Sequence, residues 1–316
     1  MKISIVVPNY NGVKLIKENL PLVVSSLVYF RNKTNHNVEL VVVDDASSDE
    51  SVEFLNYFQN RTKAIDVIIE VNKINKGFSP TVNIGVKKST GDIVVLLNSD
   101  VIPSEDFLIP LVKHFSNENI FAAACMDKSI EDGKTVLRGR GVGHWKNGFL
   151  AHKMGDLEKK NTLWASGGSS AFSKKIWNKI GGLCELYAPY YWEDIDLSYR
   201  ALKCGFEVVF EKESIVIHKH EEGSIKKSQS KQKVNKIVNR NQHIFTLLNA
   251  TDKKILVEYI INFPLFFLRG IKNKDTSYLS GTFMMIAILP QILSARKTFQ
   301  HMMRKSDAEI ISSFDN

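Results

Sequence analysis

Ile3-Ser-Ile-Val-Val-Pro-Asn-Tyr-Asn-Gly12 is an apolar run of strand length that breaks off into Pro8, Asn9, Tyr10 and Asn11. Two later runs end the same way. Val41-Val-Val-Asp-Asp-Ala-Ser-Ser-Asp49 stops at Asp44 and Asp45, and Ile93-Val-Val-Leu-Leu-Asn-Ser-Asp100 stops at Asn98 and Asp100. A fourth stretch, Tyr191-Trp-Glu-Asp-Ile-Asp196, gathers Glu193, Asp194 and Asp196. In an open α/β sheet the carboxyl ends of parallel strands line one crevice, so three such ends converge on one ligand. Carboxylates gathered there repel one another unless a cation or donor groups sit between them. A divalent metal holding a diphosphate meets that need.

Strand candidates rich in Val and Ile are Lys2–Val7, Glu39–Asp44, Asp66–Glu70 and Asp92–Asn98. Helix-length segments Val13–Phe30, Asp49–Phe58 and Phe78–Ser89 separate them. This alternation predicts an α/β fold with a parallel sheet and right-handed crossovers. Glu105–Phe115 reads as a further helix and Ile120–Cys125 as a further strand. Residues 126–163 are polar, glycine-containing and weakly periodic, which predicts an insertion rather than a core element. Ser173–Ile180 and Glu193–Lys203 read as short helices, and Glu207–Phe210 and Ser214–His218 as strands.

The motifs run in a fixed order: Pro8-Asn9-Tyr10-Asn11; Asp44, Asp45, Ser47 and Asp49; Asn75 with Gly77; Asn83 with Gly85; and Gly91-Asp92. Asn98-Ser99-Asp100 follows, then Gly181-Gly182, Glu193-Asp194 and Val216-Ile-His218. This ordered set resembles the family 2 glycosyltransferases of the GT-A fold, among them those that build bacterial cell-surface polysaccharides. The resemblance covers about residues 3 to 224. It implies a GT-A catalytic domain over 1–224, a mostly parallel sheet flanked by helices, followed by a C-terminal helical region over 225–316. The implied activity is inverting transfer of a sugar from a nucleoside-diphosphate sugar, UDP- or dTDP-linked, to a hydroxyl of a glycan or lipid-linked acceptor. Mg2+ or Mn2+ is the implied cofactor. Pro8, Tyr10, Asp44, Asp45, Asn75, Gly77 and Asn98 would hold the nucleotide sugar, Asp100 and His218 the metal, and Tyr191 and Trp192 the acceptor. The family's catalytic base corresponds to Asp194, with Glu193 beside it.

The residue types suit those roles. Tyr10, in a loop after a strand, has a ring that stacks on a base. Asp44 or Asp45 accepts the imide hydrogen of uracil or thymine while the other builds the turn; the resemblance favours Asp44. Asn98 replaces the first acid of the family's Asp-x-Asp motif, so metal and nucleotide are expected to bind together. His218 offers a neutral imidazole nitrogen, with His220 as a nearby rival. Acids favour the first turn of a helix, but three so close raise one another's pKa, as deprotonating a sugar hydroxyl requires. Trp192 and Tyr191 offer an apolar platform for a sugar, or equally belong to the core.

At 316 residues, with 44% hydrophobic and 24% charged residues, the chain has room for one large α/β domain and a smaller appendage. Cys125, Cys184 and Cys204 form no disulfide framework, and no signal-peptide pattern opens the chain, so a reducing cytoplasm is expected. The net charge of +8 is segregated: residues 225–316 hold 15 Lys/Arg against 6 Asp/Glu, a balance of +9, and residues 1–224 the remaining 27 against 28. Two apolar stretches, 255–271 and 276–295, lie within that basic third, bracketed by Arg269, Lys272, Lys274, Arg296 and Lys297. The pattern predicts helices lying on an anionic membrane surface at its cytoplasmic face; the alternative is a helical lid packed on the catalytic domain or on a second subunit. Nucleic acid is not the expected partner, because no stacking aromatics are interleaved with the lysines. A sugar nucleotidyltransferase would carry a glycine- and arginine-rich loop where Pro8–Gly12 stands. A catalytically silent scaffold is the third alternative, raised by Asn98. No Gly-x-Ser-x-Gly elbow, phosphate loop or dinucleotide fingerprint is present.

Overall fold

The three apolar runs become neighbouring parallel strands at the centre of one sheet. In this computed structural model, which describes residues 1–131, 133–218 and 229–314, β1 (Lys2–Asn9) lies between β2 (Asn37–Asp44) and β4 (Ile93–Leu97). β3 (Asp66–Val71) extends the sheet beyond β2. Helices α1 (Val13–Thr34), α2 (Ser51–Arg61) and α3 (Phe78–Lys88) make the crossovers. Successive strand residues face opposite sides, and here both sides are apolar. Val6, Val41, Val94 and Leu96 join one core cluster, while Ile5, Val7, Leu40 and Val95 join another. On the first side α3 comes very close: a Cβ on Gly85 would sit 2.4 Å from Val6 Cγ1.

Beyond β4 the sheet turns mixed. β10 (Ser169–Ser173) runs antiparallel to both β4 and β6 (Ile120–Glu131), β11 (Glu207–His218) parallel to β6, and the short β5 (Val101–Pro103) closes the edge. Helix α4 begins only at Leu108 and spans Leu108–Lys113, later than the expected Glu105. Pro110 lacks an N–H and fits a helix only in its first turn, so it fixes the late start.

Residues 126–163, expected as an insertion, are largely sheet. β6 continues to Glu131, β7 (Lys134–Arg138) pairs with it, and β8 (Gly141–Lys146) and β9 (Phe149–Met154) form a separate hairpin. Leu150 and Leu163 are buried in the main core. The stretch reads as loop because only scattered residues of these strands face inward, so the apolar period is sparse.

Helices α5 (Lys174–Ile180) and α6 (Glu193–Lys203) cover the sheet near the cleft. Among the described residues five more follow: α7 (Lys231–Asn249), α8 (Lys253–Lys272), α9 (Thr276–Ala287), α10 (Leu289–Gln300) and α11 (Asp307–Ser312). They share a core with the sheet, since Ile244, Phe245, Leu248, Met285, Ile292 and Ile310 belong to the same cluster as Trp192, Leu197 and Tyr199. A buried ion pair, Lys203 Nζ to Asp307 Oδ1 at 2.8 Å, ties α6 to α11. Asp307 also accepts from the Tyr199 hydroxyl at 2.7 Å and from the backbone N–H of Thr251 and Asp252. The expected boundary at 224/225 lies outside the described residues, as does His220.

Candidate active site

A cavity of about 520 Å³ opens at the carboxyl ends of the central strands. Pro8, near the end of β1, and Tyr10, just past it, line one wall, and Tyr10 is 38% exposed. Asp45 lines the cavity next to Asn75 and Gly77. Its Oδ1 accepts from Asn72 Nδ2 at 2.8 Å, and its Oδ2 accepts from the Gly77 N–H at 2.8 Å. Gly77 has φ +85°, and a Cβ there would strike the Pro189 backbone at 2.8 Å, so only glycine fits. Asp44, favoured for the base, does not line the cavity. It is fully buried, accepting from the Ser47 N–H, the Ser47 hydroxyl and Asn9 Nδ2 at 2.7–2.8 Å. Strand alternation decides between the two acids: Asp44 builds the turn and Asp45 meets the cleft.

Asp100, just past β4, and His218, the last residue of β11, line the cavity together, with Asp100 Oδ2 3.3 Å from His218 Nε2. The other ring nitrogen, Nδ1, lies 3.1 Å from Asp127 Oδ2, and Asp127 in turn accepts from the Ser129 hydroxyl at 2.9 Å. Burial by itself lowers the His218 pKa, but hydrogen bonds to Asp100 and Asp127 outweigh it and hold the imidazole at about 9. Asn98 also lines the cavity, and its Oδ1 is buried with no partner among the described residues.

This donor set fits a magnesium or manganese ion. Among the described residues no group of three or more His, Cys, Asp or Glu forms a cage. Such ions commonly take one or two protein ligands and complete their shell with phosphate and water. Asp100 and His218 would be those ligands. Ligation requires the proton to leave Nε2, and Asp127 on Nδ1 fixes the tautomer that leaves Nε2 available. Asp127 was missed in the sequence, although it follows the apolar strand Ile120–Cys125 just as Asp100 follows Ile93–Leu97.

The acidic segment lines the same cavity. Tyr191 and Trp192 have φ of 72° and 76°, a left-handed pair that strains non-glycine residues. The strain turns Tyr191, Glu193 and Asp194 into the cavity. Trp192, expected to meet the acceptor, instead faces the core. It is 6% exposed and packs on His152 and Phe245, with ring centroids 5.3 and 5.2 Å away. Glu193 is buried, its Oε2 has no partner among the described residues, and burial together with the neighbouring Asp194 charge lifts its pKa to about 8. Burial also raises the Asp194 pKa, against an opposing hydrogen bond from the Gly167 N–H at 3.3 Å. Asp196, the third acid, is structural. It is fully buried and accepts from Arg200 Nε, the Tyr187 hydroxyl and Asn249 Nδ2 at 2.8, 3.1 and 2.7 Å.

The strained loop is held from behind by α7. Asn241 Nδ2 donates to the carbonyls of Tyr187, Tyr190 and Tyr191 at 2.8–2.9 Å, and Arg240 Nη2 to that of Tyr187 at 3.0 Å. Both side chains are buried. Their only trace in the sequence is a polar run, Asn239-Arg-Asn-Gln242, inside a helical segment.

A family model for glycosyl transferase family 2 matches residues 4–181. The chain belongs to glycosyl transferase family 2. Among its relatives is the O-antigen chain rhamnosyltransferase RfbN of Salmonella typhimurium, 23% identical over 226 residues, which cover 70% of this chain and 67% of RfbN. A poly(ribitol-phosphate) beta-glucosyltransferase of Bacillus spizizenii is 31% identical over 143 residues, 45% of this chain and 20% of that protein. An uncharacterized glycosyltransferase of Haemophilus influenzae is 31% identical over 106 residues, 34% of this chain and 39% of its own length. The chain thus spans less than half the length of some curated relatives.

Solved structures share the GT-A fold. GalNAc-T7 with UDP, GalNAc and Mn2+ superposes with TM-score 0.66 at 16% identity, covering all of this chain and 58% of that one. Residues 1–349 of S. aureus TarS with UDP-GlcNAc give 0.60 at 17%, covering 99% and 89%. A Pyrobaculum calidifontis mannosyltransferase with GDP-Man and Mn2+ gives 0.56 at 14%, covering 98% and 78%.

Proposed function

We propose that this glycosyltransferase inverts configuration at the anomeric carbon of a nucleoside-diphosphate sugar in a single displacement, with a glycan or lipid-linked hydroxyl as acceptor. The observation that carries the reading is that Asp194, an acid with raised pKa, opens on the same cavity as Asp100 and His218. Tyr10 stacks on the base, and Asp45, Asn75 and Gly77 bound the nucleoside. Asp100 and His218 would hold a magnesium or manganese ion, which would supply charge stabilisation to the leaving diphosphate. Asp194 takes the acceptor proton at a carboxylate oxygen while the Gly167 N–H steadies that carboxylate. Glu193, next to it and protonated to about pH 8, adds no second negative charge. Tyr191 offers its face to the acceptor sugar.

The test is a donor panel, UDP- and dTDP-sugars first, scored by nucleoside diphosphate release with Mg2+ or Mn2+ present. Release from one donor class, abolished by chelation and by Asp100→Asn, is the expected result. If no nucleoside diphosphate sugar yields release under any of these metals, the reading is wrong.

A further inference from the structure

Helix α8 is apolar on the side that should be polar. Its inner face packs inward through Ile255, Tyr259 and Gly270. Its outer face exposes Val257, Ile260, Ile261, Leu265, Leu268 and Ile271, each between 52% and 69%. At 3.6 residues per turn these six fall within roughly 140° of the circumference. A surface helix of a globular protein carries charged and polar residues on that arc. Cations stand at both ends of the same arc instead, Lys253 and Lys254 at the start and Lys272 at the end, all exposed. The patch continues onto α9, where Phe283 and Ile286 are 59% and 45% exposed and Phe283 meets Phe267 of α8 ring to ring at 5.7 Å. So broad a contiguous apolar surface marks an interaction site.

We infer that the outer face of α8 and α9 seats in the interface of an anionic lipid bilayer, with α8 lying along the membrane plane. Charge complementarity selects this occupant. An apolar band closed at each end by lysines matches acyl chains under a layer of anionic headgroups, and the surrounding residues 225–316 carry the whole positive excess of the chain, +9. Among the described residues no single helix is long and apolar enough to cross a membrane; α9 and α10 together pass only as a pair bent by 66°. A helix with one face buried in protein and the opposite face apolar lies on a bilayer rather than through it.

The position of this face connects it to the catalytic cleft. Gln229 and Lys233, at the start of α7, line the cavity. Between them in sequence Gln232 donates from Nε2 to Thr276 Oγ1 at 2.9 Å, so the first turn of α9 abuts the cavity rim. A bilayer under α8 and α9 therefore runs beside the cleft mouth. That placement suits a lipid-linked acceptor, a point that rests on the proposed transfer; the membrane seat itself does not.

The experiment is co-sedimentation of the full chain with phosphatidylcholine vesicles, with and without phosphatidylglycerol. Wild type should pellet with the anionic vesicles and only weakly with the neutral ones, and added salt should remove part of the binding. Ile260→Ser/Leu265→Ser/Leu268→Ser should bind anionic vesicles at least about tenfold more weakly. Lys253→Gln/Lys254→Gln/Lys272→Gln should lose the preference for anionic lipid while leaving every apolar contact in place, so it keeps the test open if the serine variant misfolds. The inference fails if wild type stays in the supernatant, or if both variants pellet like wild type. It fails equally if light scattering finds a wild-type dimer that the serine variant dissolves, because a second copy then covers the face. Donor hydrolysis without vesicles, followed for all three proteins, separates loss of membrane binding from failure of the proposed chemistry.

Discussion

Helices α1 and α8 are nearly the same length, 22 and 20 residues, and each contains a proline, yet they meet their surroundings in opposite ways. α1 buries Leu15, Ile16, Leu20, Val23 and Leu27 against the sheet and turns Lys14, Lys17 and Glu18 to solvent. α8 buries Ile255 and Tyr259 and turns Ile260, Leu265 and Leu268 outward. The contrast extends to the regions they belong to. In the first hundred residues the strand runs are apolar and buried, and polar residues at their ends line the cavity. In the C-terminal helices apolar residues lie on both sides, and buried polar residues decide what packs on what: Arg240 and Asn241 hold the acidic loop, and Asp307 holds Lys203. The helical region is thus a brace for the loop before Glu193 as well as an outer surface.

The sharpest way to break that comparison is Asp307→Ala. It strands a fully buried ammonium on Lys203, which costs on the order of 3–5 kcal/mol. Denaturant unfolding should show the loss across the whole chain. A change below about 1 kcal/mol would mean that the C-terminal helices unfold apart from the sheet and brace nothing.

Asp194→Asn asks whether the braced loop carries the base. Transfer should fall about a hundredfold or more while donor binding stays near wild type, as read by turnover and by calorimetric titration with the nucleotide. A larger loss for Glu193→Gln than for Asp194→Asn would exchange the roles of the two acids.

Asn241→Ala is expected to be milder. It removes one buried donor shared by three carbonyls, a loss of about 1–3 kcal/mol in stability. Because those carbonyls belong to the loop before Glu193, kcat should drop more than the KM for donor. Equal melting and unchanged kcat would remove α7 from the catalytic argument.

The smallest effect is the pH dependence. The Asp194 pKa is raised, chiefly by burial, and the base works only when deprotonated. The transfer rate should therefore fall as pH drops through a value above the ordinary aspartate range of about 4. A rate that stays flat down to about pH 4 would mean that the working carboxylate is exposed and unperturbed.

Much of the sheet was legible because apolar runs such as Ile3–Val7 and Ile93–Leu97 are buried on both faces and need no partner to be recognised. The clefted end was legible for the same reason: polar residues that interrupt such runs lie where strands stop. The choice between Asp44 and Asp45 was not legible, since adjacent residues at a strand end differ only in direction. Trp192 was misplaced because its left-handed backbone sends the ring into the core, and no composition rule reports a φ. Residues 126–163 read as insertion because their strands bury few side chains.

The sequence by itself determined the α/β alternation, the family, the set of acids and the segregation of positive charge, all of which are properties of order and composition. Only the tertiary structure decided which acids face the cavity, that Asp127 backs His218, that Asn241 and Arg240 hold the loop before Glu193, and which side of α8 remains outside. These are contacts between elements up to a hundred residues apart in the chain. Their partners are set by packing in three dimensions, and an apolar helix carries no mark of which face another helix will cover.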